Sequence, residues 1–159
     1  MSRTSFVSLC SVLLCALLLS ACSGGGERKR VFPPNASVQE LTVRGDGAWT
    51  LALRLQNFSN VPQHFTGFDA VFTIDGQFAT TLRPSTDITV GPESVEILSL
   101  ALTPSAPAAE ALRNALESSR SVQYKLAGEI VSSEPNRRRD DFSHESQLTP
   151  VPGLPGVLR

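Results

Sequence analysis

Hydrophobic and polar residues alternate with a period of two along most of this chain. Between 49 and 56, Trp49, Leu51, Leu53 and Leu55 fall on one side and Thr50, Ala52, Arg54 and Gln56 on the other. A strand with one buried face produces that pattern, because successive side chains leave a pleated backbone in opposite directions. Residues 57–62 break it with turn-forming types. Phe68, Ala70, Phe72 and Ile74 resume it. Asp75-Gly76 then predicts a type I′ hairpin turn, since glycine accepts the positive φ such a turn needs. Phe78, Thr80 and Leu82 predict the return strand. Upstream, residues 36–44 read as a first strand whose phase changes between Val38 and Leu41, as a bulge or a late start of the strand would cause.

Downstream, Ile88–Val90 predicts a short strand and Gly91-Pro92 a break. The run 95–103 carries Leu98, Leu100 and Leu102 on one face and Val95, Ile97 and Ala101 on the other, so partial burial on both sides is expected. The period then changes. Over 104–118, Ser105 suits an N-cap, Pro107 a first turn, and Leu112 and Leu116 lie one helical turn apart. This predicts one short helix over an open end of the sheets. Val122, Tyr124, Leu126, Gly128 and Ile130 alternate again. Residues 132–141 read as a polar, turn-rich loop, and Phe142, His144, Ser146 and Leu148 as one face of a last strand. Prolines at 150, 152 and 155 exclude a central strand and predict an extended tail. About seven strands separated by frequent turn signals point to an all-β antiparallel sandwich with one short helix, a small β-barrel being the alternative.

The two ends of the chain change the picture from fold to address. Arg3 precedes an apolar stretch, Phe6 to Leu19, that is short for a membrane span. Leu19-Ser20-Ala21-Cys22 closes it. This resembles the lipobox of bacterial lipoproteins, and the resemblance implies cleavage before Cys22 and acylation of that residue. The expected organisation is a signal peptide at 1–21, a lipidated cysteine and flexible tether at 22–34, a sandwich domain at 35–148 and a proline-rich tail at 149–159. The expected partner is a lipid bilayer through acylated Cys22, in a bacterial cell envelope. Ser23 rather than Asp follows the cysteine, which by analogy with enteric lipoproteins favours the outer membrane, facing the periplasm. Three acyl chains exceed the two membrane signals that stable anchoring requires.

Cleavage would leave 138 of the 159 residues, one domain's worth, with all three cysteines in or at the end of the signal. The remaining 13 basic and 15 acidic side chains give no case for nucleic acid or anionic lipid as a general partner.

Four stretches carry a second resemblance: LALRLQN (51–57), TIDGQFA (73–79), VGPESVEILSLAL (90–102) and YKLAGEI (124–130). They are similar to the type 2 late embryogenesis abundant proteins, with their water-stress and hypersensitive-response (WHy) domain. Phe58 stands where that family carries a proline. The resemblance implies an immunoglobulin- or fibronectin-III-like sandwich, no catalytic residues, and a binding or protective role in stress.

Candidate chemistry is sparse. His64 and His144 lack a metal-ligand partner at a local spacing, and no GxSxG elbow marks a nucleophile. Asp69 and Asp75 would lie about 20 Å apart at strand rise, too far for a catalytic carboxylate pair. No catalytic residue, metal ligand or cofactor is expected, and the chain reads as a non-enzymatic protein. Arg137, Arg138 and Arg139, followed by Asp140-Asp141, form the sharpest charge feature. They are a candidate contact for an envelope partner, either lipid phosphates or an acidic protein face; the other reading is a solvated loop whose charges partly cancel. A structural or assembly accessory, docking through such a loop, a strand edge or the tail, is the alternative to the protective role.

Overall fold

The computed structural model describes residues 28–159, so the expected signal peptide and Cys22 lie outside the described residues. Among those residues the chain forms nine strands and one helix. They are β1 (Asn35–Val43), β2 (Trp49–Gln56), β3 (Gln63–Ile74), β4 (Gln77–Leu82), β5 (Ile88–Val90), β6 (Val95–Leu102), α1 (Ala106–Glu117), β7 (Val122–Glu134), β8 (Arg138–Leu148) and β9 (Val157–Leu158). Eight of the nine correspond to stretches expected as strands, and the two-residue β9 is the addition.

All strand pairings are antiparallel. One sheet runs β6-β2-β1-β9, and the other runs β4-β3-β7-β8 with β5 paired to the start of β3. The two form a β-sandwich. Its core is made by the alternating residues: Trp49, Leu51, Leu53 and Leu55 from β2, and Phe68, Ala70, Phe72 and Ile74 from β3, are all buried. Tyr124, Leu126 and Ile130 of β7 face them from the same sheet as β3. Each fully buried leucine or phenylalanine contributes roughly 1.5–3 kcal/mol relative to exposure, so the pattern itself supplies the drive to form two layers.

Two irregularities set the register. In β1 the pairing shifts between Val38 and Glu40, so the change of phase marks a bulge. There the Val38 N–H donates to the Tyr124 hydroxyl at 3.2 Å, linking the two sheets through the core. In the β3–β4 hairpin, Asp75 (φ 45) and Gly76 (φ 75) both have the left-handed backbone of a type I′ turn. The pairing then slips: Thr73 opposes Phe78, but Phe72 opposes Thr80. That extra residue, Ala79, is buried while Phe78 is 53% exposed. The expectation that Phe78 shares a face with Thr80 and Leu82 is thereby corrected, because a one-residue slip turns a side chain to the other face.

Three more expectations are corrected. β6 is an edge strand with nothing over its outer face, so Ile97 is 43% exposed and Ala101 is also exposed. The stretch 132–141 is mostly strand, being the distal arms of the β7–β8 hairpin. The proline-rich tail turns back on itself, with Thr149 and Arg159 exchanging two backbone hydrogen bonds, and β9 pairs with β1. It closes one edge of the first sheet.

The sandwich has two ends. At one lie the β1–β2 turn, the β3–β4 turn, α1 and the tail. At the other lie the start of β1, the β2–β3 loop (57–62), the β5–β6 loop (91–94) and the β7–β8 turn (135–137), because Asn35 opposes Gln56, Gln56 opposes Val95 and His64 opposes Glu134. At strand rise the twelve residues of β3 put these ends about 40 Å apart.

Candidate interaction surface

The second end is built around Asn57. Its side chain is fully buried, and its amide nitrogen donates to the carbonyls of Val61 (2.8 Å), Gly91 (2.8 Å) and Val90 (3.2 Å). Its side-chain oxygen accepts from the Ser59 N–H at 2.8 Å, the Asx turn that asparagine forms with backbone two residues on. One residue thus joins the β2–β3 loop to the β5–β6 loop. Glu93, at φ 49, completes the junction by donating its N–H to the Ser59 carbonyl at 2.9 Å.

The N-terminal segment is laid onto this loop. Arg30 N–H donates to Asn60 Oδ1 at 2.7 Å, and Asn60 Nδ2 donates to the Arg28 carbonyl at 2.9 Å. Phe32 N–H donates to Ser59 Oγ at 2.9 Å, and Gln63 Nε2 to the Phe32 carbonyl at 3.2 Å. Pro34 is buried beyond it. A flexible tether through residue 34 is therefore corrected: from Arg28 onward the chain is fastened to the domain. Polar loop side chains satisfy its backbone where no strand partner is present. Phe32 and Phe58, either side of the Ser59 contact, are 48% and 44% exposed.

Arg137, Arg138 and Arg139 lie at the same end but do not act alike. Arg138 sits on the inner side of β8 and pairs with the nearly buried Asp140 at 2.6 Å. Arg139 faces outward and pairs with Glu129 on β7 at 2.7 Å. Arg137 is exposed at the turn and has no ion pair with any described residue. The triplet is thus one open cation beside one paired along its own strand and one that braces the hairpin.

The histidines are held in place by neighbouring strands. His64 lies on β3, directly opposite Thr89 of β5. Its Nδ1 is 2.9 Å from Thr89 Oγ1 and its Nε2 is 3.0 Å from Asp87 Oδ1. The row Thr-His-Asp has the connectivity of a nucleophile relay, but Asp87 is 87% exposed. Water therefore competes for each bond, and no preorganised low-dielectric site forms around it. The row fastens β5 to β3. His144 lies between the Tyr124 ring, with centroids 5.9 Å apart, and the Asn35 amide at 3.5 Å. Burial raises the Tyr124 hydroxyl pKa above its ordinary value, against the opposing hydrogen bonds to Val38 and Ser146. Asp69 and Asp75 are taken up by Arg83 (2.8 Å) and Arg120 (3.0 Å). Among the described residues no group of three His, Cys, Asp or Glu side chains could hold a metal ion.

At the opposite end, an open cleft of about 750 Å³ runs between Leu116 of α1 and the turn Pro150–Gly156. It is lined mainly by proline, glycine and aliphatic side chains and offers no charged group aimed inward apart from the flank at Glu117. Among the described residues no helix is long and apolar enough to cross a membrane.

By sequence, the chain matches no protein-family model and no curated protein. Among the solved structures similar to it are two of low sequence identity. One is the crystal structure of a protein from Archaeoglobus fulgidus, 16% identical, with a TM-score of 0.45, covering 77% of this chain and 98% of that one. The other is the solution structure of AT1g01470 from Arabidopsis thaliana, 9% identical, with a TM-score of 0.49, covering 79% of this chain and 83% of that one.

Sequence reasoning missed Asn57, Ser59, Asn60 and Gln63 as a group. Asn57-Phe58-Ser59 reads as a turn, and the signal that would have singled it out is a buried-strand residue count: Asn57 continues the inward phase of Leu51, Leu53 and Leu55. An amide on a core phase needs partners on every side.

Proposed function

We propose that this protein is a lipid-anchored, non-enzymatic lipoprotein of the bacterial envelope whose sandwich has a binding or protective role of the WHy-domain kind. The observation that carries the anchor is Leu19-Ser20-Ala21-Cys22 in register behind an apolar run, joined within a few residues to a sandwich. The protective role is supported by where the four similar stretches fall: β2 with Asn57, the β3–β4 hairpin, β5 into β6, and the Tyr124 to Ile130 run of β7. In each, the shared residues serve the fold. Leu51 and Leu53 fill the core, Asp75-Gly76 turns the hairpin, and Gly128 lets two strands approach. A family united by such residues shares a scaffold, and its action rests on surfaces.

The alternative is an assembly accessory that docks on an outer-membrane or secretion complex. The specific feature in its favour is β6, an eight-residue edge with Ile97 open on its outer face.

The anchor is tested by processing in cells. Globomycin or Cys22→Ser should block maturation, and a mature, membrane-held Cys22→Ser protein would end the lipoprotein reading. Crosslinking of the full lipidated protein in native membranes separates the two roles. A protective protein gives weak, scattered crosslinks and a deletion phenotype under drying or osmotic stress; one stoichiometric complex means the accessory.

A further inference from the structure

The two ends of the sandwich differ in what tethers them. Arg28 is fastened through its carbonyl to Asn60, and Arg30 through its N–H to the same side chain. Arg28 lies only six residue steps after Cys22. Fully extended, they span about 20 Å, whereas the helical end lies about 40 Å from the β2–β3 loop. A lipid on Cys22 therefore holds the Asn57 end within about 20 Å of the bilayer, while α1 and the tail, about 40 Å along the domain, reach it only if the sandwich lies on its side.

The surface at that end suits the position. Phe32 and Phe58 are large, half-exposed rings flanking the Ser59–Phe32 hydrogen bonds. Aromatic side chains gain from partial burial at a membrane interface. Among the described residues, Arg28, Lys29, Arg30, Arg54, Arg113 and Arg137 have no ion pair, and four of these six belong to this end. Long cationic side chains can lay their stems along the interface and keep the charge among head groups. Glu93 and Glu134 share the end, so its net charge is small; the short leash and the two rings hold it down. Phe78 and Leu154, equally exposed, sit at the far end, beyond the leash.

We infer that the protein stands upright on its membrane, with the Phe32–Phe58 end and Arg137 against the lipid interface and the α1–tail end facing the aqueous compartment. This rests on the lipid anchor proposed above. Arg137, read from the sequence as a contact for an envelope partner, then has the bilayer itself as that partner.

Hydroxyl-radical footprinting of the full lipidated protein, in phosphatidylethanolamine/phosphatidylglycerol vesicles and in detergent, reads the orientation. Oxidation of Phe32 and Phe58 should fall at least threefold in vesicles, with Phe78 and Leu154 unchanged. Equal labelling in both media, or protection of Leu154 instead, would overturn the proposal. So would protection of Phe58 seen in native membranes but absent in lipid vesicles, which assigns the surface to a protein. Intact mass reports the acyl chains separately. Should they be missing, the anchor reading fails. The footprint is then read on protein coupled through Cys22 to a maleimide lipid, with Cys10 and Cys15 replaced by serine, where the same protection is expected. Phe58→Ser should leave the lipidated protein membrane-bound and reduce the protection of Phe32 at least twofold; unchanged protection counts against a role for the rings.

Discussion

The helical end and the Asn57 end close the same sandwich by opposite means. At the helical end, α1 presents Ala108, Leu112 and Ala115 to the core, capped by Ser105, whose hydroxyl accepts from the Ala108 N–H. Closure there is apolar burial by a regular element. At the Asn57 end no helix or strand among the described residues covers the gap. Loop backbone crosses it, and Asn57, Ser59, Asn60 and Gln63 satisfy that backbone one group at a time. Apolar burial is graded and forgiving, falling roughly with the area removed from water. A buried amide that serves three carbonyls is close to all-or-none, since a lost partner strands several polar groups in a dry site. The difference suggests an end that can drift in sequence and an end that cannot.

That contrast can be broken from the middle or from either side. The largest effect is expected at Gly128, in the waist both ends share. A Cβ there would lie 2.0 Å from the Asp69 carbonyl oxygen and 2.5 Å from the Ala70 Cα, both backbone atoms of β3. Gly128→Ala should force β3 and β7 apart, costing upwards of about 4 kcal/mol and lowering the melting temperature without favouring either end. Normal stability in a denaturant titration would mean the strands yield more readily than backbone should.

Asn57→Ala should cost about 3 kcal/mol, as four hydrogen-bonding groups lose one buried partner. Amide exchange ought to rise in 28–34, 57–63 and 91–94 while α1 stays protected. If α1 loosened equally, the two ends would be one cooperative unit and the contrast would fail. Leu112→Ala removes a fully buried side chain from the helical end at a comparable cost, about 2–4 kcal/mol. Its exchange pattern should be the mirror image. Because the sites are far apart and share no partner, the double variant should be additive within about 0.5 kcal/mol.

Tyr124 sharpens the comparison by reaching out of the helical end, where it pairs with Ile74 beside the β3–β4 turn. Its hydroxyl crosses from the second sheet to the bulge of the first. Burial raises its pKa above the ordinary 10.0, so on raising pH the unfolded chain loses this proton first. Stability should be level below about pH 10 and decline as pH rises through the higher folded value. The chain has a single tyrosine, so phenolate absorbance follows this group alone. Tyr124→Phe should cost about 1 kcal/mol at neutral pH and flatten the alkaline limb. A limb unchanged by the substitution would show that other groups govern it.

The strands and helix were legible because their signal is repetitive. Nothing beyond neighbours two or four positions away is needed to see that Leu51, Leu53 and Leu55 share a face or that Leu112 and Leu116 do. Asp75-Gly76 was legible for a related reason, since turn chemistry is local to two residues. The phase change in β1 also announced an irregularity there. Where the reading went astray, the cause was non-local. Phe78 has the sequence of an inward residue, and only its pairing with Thr73 turns it outward. Ile97 looks like a second buried face, but β6 ends its sheet and nothing lies over it. The arginines of 137–139 look like one loop, yet Arg138 finds Asp140 two residues along β8 and Arg139 finds Glu129 across the hairpin. The N-terminal segment looks like a linker by composition, because glycine, charge and proline say nothing of a loop 30 residues away that binds its backbone.

The sequence by itself determined that the chain makes antiparallel strands with one apolar face, one short helix within 104–118 capped at Ser105, and a tight Asp-Gly hairpin. Each of these follows from the periodicity of a backbone whose neighbours are already known. Tertiary structure alone decided which strands became edges, which arginines were paired, and where the segment entering the domain is fastened. Those outcomes depend on which distant groups come within 3 Å of one another, and that distance exists only once both sheets have closed.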